Sequence, residues 1–163
     1  IVANEASHVG ATGRSAQASH SCVLAAVRKL QEISHSGRIA LDTLGLVLQE
    51  YQRARMSYGG QPGVGDAFFK WVHENQANPK FCDLVEIHAT SGSNDDFEEV
   101  PTDVDLRRFD RSDRKFVAIV IGFRPKIAVV LNAVDSDWWN SRDALRRNGI
   151  EVEFVCPNHF QEN

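Results

Sequence analysis

Apolar positions along the chain follow two patterns. Compact apolar runs stand at 1–3 (IVA), 38–42 (RIALD), 81–87 (FCDLVEI), 125–134 (PKIAVVLNAV) and 151–156 (EVEFVC). Each is bounded by turn-forming or charged residues and predicts a buried strand. Between them the apolar residues recur at helical spacing. Residues 19–35 set Val23, Val27, Leu30 and Ile33 on one stripe, with Leu24 alongside. Residues 44–56 repeat the stripe with Leu44, Val47, Leu48 and Tyr51, residues 66–76 with Phe68, Phe69 and Val72, and residues 112–122 with Phe116, Val117, Val120 and Ile121. The last helix, 136–148, closes on Arg146, Arg147 and Asn148, cations that suit a helix C-terminus, and Gly149 follows as a stop. Strands alternating with helices predict an α/β sandwich around a mostly parallel sheet, its strands covered on both faces.

The segments between these elements are polar. Residues 90–106 carry many acids and a proline and read as a solvated surface loop, because the alternation resumes after them. Residues 59–66, GGQPGVGD, have the G-x-x-x-x-G spacing of a phosphate-binding loop. Asp66 stands where that loop needs a lysine, and the residues before it are helical in pattern, so the stretch reads as a glycine-rich turn with Asp66 in the first turn of the next helix.

Composition narrows the class. The 163 residues fit one domain, 1–163, with 42% apolar and 25% charged residues, ordinary for a soluble globule. No apolar run approaches a membrane span, and the first residues lack signal-peptide organisation. The net charge of −4 does not favour a surface coated in basic patches, but acids gathered in one site can outweigh a basic rim. Cys22, Cys82 and Cys156 are widely spaced among apolar neighbours, which predicts free buried thiols in a reducing compartment and a cytoplasmic location. No Cys or His pair has zinc-ligand spacing.

In open parallel sheets, ligands lie at the carboxyl ends of the strands. Acids and amides fall there from several segments: Asn4 and Glu5 after the first run, Asp42 after the second with Glu50 on the following helix, Asp110 and Asp113 in FDRSDRKF, and Asp135 and Asp137 in VDSDWW. Crowded carboxylates repel one another unless a hard cation neutralises them, and Mg²⁺ or Mn²⁺ prefers such oxygen ligands. A divalent ion held there activates water and stabilises charge on a phosphodiester. Each residue also has a plain structural role open to it. Asp113 can be a first-turn acid, Asp135 and Asp137 helix caps, Asp42 a turn residue, and Glu50 a surface partner of Arg53.

With these residues placed, the chain resembles the PIN-like nuclease domains over almost its whole length. The resemblance is carried by RIALDTLGLVLQEY, FDRSDRKFVAIVIG and AVVLNAVDSDWW, followed by a helix and the strand GIEVEFV. It implies a three-layer α/β/α sandwich and an Mg²⁺- or Mn²⁺-dependent endoribonuclease. Glu50, Asp113 and Asp135 match the catalytic, metal-holding acids, and Asp137 a second acid of the last motif. The family's first aspartate falls on Asn4, a neutral ligand, with Glu5 next to it; Asp42 and Asp110 are supporting acids. Arg111, Arg114 and Lys115 flank Asp113 as candidate phosphate contacts, with Arg14, Arg107 and Arg108 on the rim, or else they balance nearby acids as a solvated face. Trp138 and Trp139 are candidates for base stacking or for the core. The implied partner is single-stranded RNA, and a homodimer and an inhibitory protein are further candidates. Asn4 keeps open the alternative of a weak or inactive PIN-like module that binds RNA or protein. A Toprim-like reading would pair a lone early acid, Glu5, with the D-S-D of 135–137, which comes too late in the chain, and haloacid-dehalogenase-like and receiver readings need paired acids at the first strand, which this sequence lacks.

Overall fold

The computed structural model describes residues 18–54, 62–93 and 95–161. The expected first strand, Asn4, Glu5, Arg14 and the first part of the glycine-rich segment lie outside the described residues. Helix α1 is His20–Ser36, opened by Ser19, whose side chain accepts from the Cys22 amide at 3.3 Å. Strand β1, Ile39–Asp42, leads through Gly45, at φ 76°, into helix α2, Leu46–Ala54. A left-handed residue at that turn favours glycine. Helix α3 is Val64–Asn75, and its first-turn Asp66 accepts from the Gly63 amide at 2.6 Å. Strand β2 is Cys82–Val85. A short 3₁₀ turn, Arg111–Asp113, feeds helix α4, Arg114–Gly122. Strand β3 is Val129–Asn132, helices α5 and α6 are Ser136–Asn140 and Arg142–Arg147, and strand β4 is Glu151–Phe154.

The protein is mixed α/β, and its strands pair in parallel. β1 pairs with β2, Ile39 opposite Cys82, and β3 pairs with β4, Val129 opposite Glu151. Among the described residues the strands form two sheets of two strands each, where one continuous central sheet was expected. The runs also shortened. The 125–134 run yields only Val129–Asn132 as strand, because the polypeptide from Pro125 to Ile127 turns through solvent, with Ile127 81% exposed. The 136–148 helix breaks at Ser141, which ends α5 and begins α6 while Arg142 donates back to the Trp139 carbonyl at 2.7 Å.

Helix α4 joins the two halves. Ala118 and Ile119 belong to a cluster with Leu41, Val47, Val72 and Val85, whereas Val117 and Val120 belong to a second with Phe109, Trp138, Leu145 and Ile150. The helix touches both β1 and β3. It ends at Gly122, where a Cβ would stand 3.1 Å from Val85 Cγ1 and 3.2 Å from the Glu86 carbonyl oxygen, so a larger residue there would press the end of β2 and the residue after it by a few tenths of an ångström.

A third cluster corrects one expectation. Cys22 and Cys156, 134 residues apart, form a disulfide with Cα atoms 5.3 Å apart, packed with Val23 and Ala26. The two thiols were expected to be free, and the reducing compartment inferred from them loses that support. Cys82 is free and buried, and burial pushes its thiol pKa up. No described helix is long and apolar enough to cross a membrane.

Candidate metal and nucleic-acid site

Asp113 closes the 3₁₀ turn at the foot of α4, and its Oδ2 accepts from the Trp138 indole at 2.9 Å. Trp138 is buried on α5 and held edge-on to Phe109, ring centroids 4.8 Å apart. A rigid aromatic donor thus fixes one carboxylate oxygen. Burial, and then the charge of Asp135, push the Asp113 carboxyl up to about 6; Asp110 adds to the rise, while the Trp138 bond and Lys115 oppose it. A carboxylate so placed is costly to ionise without a cation near it.

Asp135 caps α5 at the exit from β3, its Oδ1 accepting from the Asp137 amide at 2.9 Å. Asp110 caps the 3₁₀ turn in the same way, accepting from Ser112 at 2.9 Å. Asp135, Asp137 and Asp110 are all exposed. Asn132, at the end of β3, is buried, and its Oδ1 has no partner among the described residues.

Glu50 reaches the same region from α2. Its Oε2 lies 3.0 Å from the Lys115 ammonium, which is 7% exposed and also donates to the Ser112 carbonyl. The lysine stem runs beside Phe116, with Nζ 4.8 Å from the ring centroid. Asp42 is buried, and both its oxygens cap α2, accepting from Leu46 at 2.7 Å and Val47 at 2.9 Å. It therefore holds a helix start, the turn role open to it in the sequence.

The expected phosphate contacts divide. Arg114 turns inward, pairing with Asp96 and reaching the Leu106 and Arg107 carbonyls at 3.4 and 3.2 Å. Lys115 is likewise spent on Glu50. Arg111 stays exposed, 4.0 Å from Asp96, and Arg107 and Arg108 are exposed beside it in the chain. Trp139 stacks on Phe160, centroids 4.8 Å apart, under Arg142 at 4.6 Å. Both tryptophans are thus engaged in packing.

The structure therefore couples Asp113 electrostatically to Asp135, Asp110 and Lys115, and ties Glu50 to Lys115. Sequence reasoning missed Trp138 as the donor to Asp113 and Lys115 as an internal partner. A signal for the lysine was present: Lys115, Ala118, Ile119 and Gly122 share one helical stripe, otherwise free of charge. Among the described residues, no group of three or more His, Cys, Asp or Glu side chains is arranged to hold a metal ion. No family model, no curated protein and no solved structure matches this chain.

Proposed function

We propose that this chain is a divalent-metal-dependent ribonuclease acting at the Asp113–Asp135 pair. The observation that carries the reading is Asp113: half-buried, fixed by Trp138, and raised to about 6 in part by the charge of Asp135. Two carboxylates in mutual repulsion fit Mg²⁺ or Mn²⁺, because Mg²⁺ is commonly bound through one or two carboxylates, with waters and substrate phosphates filling the rest. Asp113 and Asp135 would hold the ion, with the unpartnered Asn132 oxygen a neutral donor at the neighbouring strand end. Such an ion supplies Lewis-acid stabilisation of phosphoryl charge and a water of lowered pKa. Trp138 keeps Asp113 from rotating away, and the exposed guanidinium groups of Arg107, Arg108 and Arg111 offer contacts to the RNA backbone. RNA as substrate is supported by the PIN-like pattern of FDRSDRKFVAIVIG and AVVLNAVDSDWW.

One observation favours a second reading, a PIN-like module that binds RNA without cutting it. Glu50 is already neutralised by a lysine. A fluorescent single-stranded RNA incubated with Mn²⁺ separates the two. Cleavage by the wild type that falls to background in Asp113→Asn supports the nuclease. Equal cleavage by both proteins, or RNA retained intact by both, removes it.

A further inference from the structure

We propose that the Cys22–Cys156 disulfide is a redox lock on the segment that carries Asp135. Oxidised, it holds the exit of β3 in place; reduction by a dithiol releases that exit, and the effect on RNA cleavage rests on the nuclease reading above. The bridge ties the first turn of α1 to the second residue beyond β4. The chain on either side of Cys156 grips the elements around Asp135. Just before it, the Val155 amide donates to the Asn132 carbonyl at 2.8 Å, at the end of β3. Just after it, the 3₁₀ turn Pro157–Phe160 lays the Phe160 ring on Trp139 of α5, and Phe154 stands edge-on to both rings. Asp135 lies between Asn132 and Trp139 in the chain. Ala133 and Val134, the two residues before it, pack against the disulfide cluster itself. The other buried members of that cluster are Ala18, Val23 and Ala26, all small, so little apolar area backs the covalent bond.

Both cysteines are buried in the closed fold, but Cys22 sits in the first turn of α1 beside the exposed His20, Ser21 and Leu24. A helix end opens locally at small cost, and that opening exposes the sulfur. A thiolate of the dithiol attacks one sulfur, and the other leaves as a thiolate and takes up a proton. The second thiol of the reductant then resolves the mixed disulfide. The protein ends with two thiols, having gained two electrons and two protons, and the dithiol is oxidised to a disulfide. Cys82 is buried in the first cluster and stays out of the exchange.

Hydrogen–deuterium exchange of the wild type, oxidised and reduced with dithiothreitol, tests this. Strands β1 and β2 report the fold at large. Reduction is expected to speed exchange at residues 133–137 and at Val155 about tenfold more than in those strands, and reoxidation with oxidised glutathione to restore the slow rate. The double variant Cys22→Ser, Cys156→Ser should show the reduced pattern with or without dithiothreitol. Exchange that rises no more at 133–137 than in β1 and β2 overturns the lock, as does a bridge that dithiothreitol leaves intact in the folded protein. Cleavage of single-stranded RNA in Mn²⁺ separates the lock from the reading it rests on. A several-fold loss of cleavage on reduction supports both. Equal cleavage by the two forms overturns the lock and leaves the nuclease standing. No cleavage by either form, with exchange still dependent on the bridge, removes the nuclease and leaves the lock.

Discussion

Replacing Asp113 with asparagine should stabilise the metal-free protein at neutral pH while abolishing its response to Mn²⁺. The Asp113 carboxyl is raised from 3.8 to about 6, first by burial and then by Asp135. The folded protein therefore binds that proton more tightly than the unfolded protein does. Stability falls as pH rises from the unfolded value through the folded one, and above that window the full penalty of the ionised group is present. A rise of this size corresponds to roughly 3 kcal/mol. Asp113 keeps some solvent contact, so screening reduces the effective figure to about 1–2 kcal/mol. Asparagine carries no charge and retains an oxygen to accept from the Trp138 indole, so the penalty disappears with the bond kept. Urea unfolding followed by circular dichroism, at a series of pH values, measures the difference. Asp113→Asn should exceed the wild type by about that amount near neutrality and converge with it at about pH 4, where the aspartate is protonated. A variant that is less stable at neutral pH, or a difference that does not change with pH, refutes the electrostatic account of Asp113.

Two further substitutions probe the frame around the site. Asp42→Ala removes the acceptor for the Leu46 and Val47 amides and should cost about 1–2 kcal/mol, read from denaturant midpoints; Asp42→Asn should cost less. Breaking the Cys22–Cys156 bridge by a double serine substitution releases a loop spanning a separation of 134 residues, which corresponds to at most about 5 kcal/mol of chain entropy. The thermal midpoint should drop in the double variant and in reduced wild type alike, and a mass spectrum showing three free thiols under non-reducing conditions, Cys22 and Cys156 as well as Cys82, would remove the premise.

The alternation of strand and helix was legible because each apolar run carries its own period. Ile39–Asp42, Cys82–Val85, Val129–Asn132 and Glu151–Phe154 all fall inside expected strands. Their assembly was less legible. Which strands pair depends on contacts between distant segments, and the described strands form two separate parallel pairs where a single sheet was expected. At the site, Asp113, Asp135 and Asp42 were picked out because each falls toward the carboxyl edge expected for a parallel sheet. Asp42 and Asp135 both prove to cap the helices that follow them. Lys115 was read as a surface cation because charge outweighed phase: its helical register with Ala118 and Ile119 turns it inward. The Cys22–Cys156 bridge had no local signal at all, since 134 residues of folding bring the two sulfurs together.

Helix α4 faces one half of the molecule with Ala118 and Ile119 and the other with Val117 and Val120, and it starts at Asp113. Glu50 stands on α2, whose Val47 packs in the first cluster, and Asp135 opens α5, whose Trp138 packs in the second. The helix is therefore a shared axle: the packing of its two faces anchors both the element that bears Glu50 and the element that Asp135 opens. Two acids on opposite halves of the fold are thus tied to one row of buried aliphatic side chains.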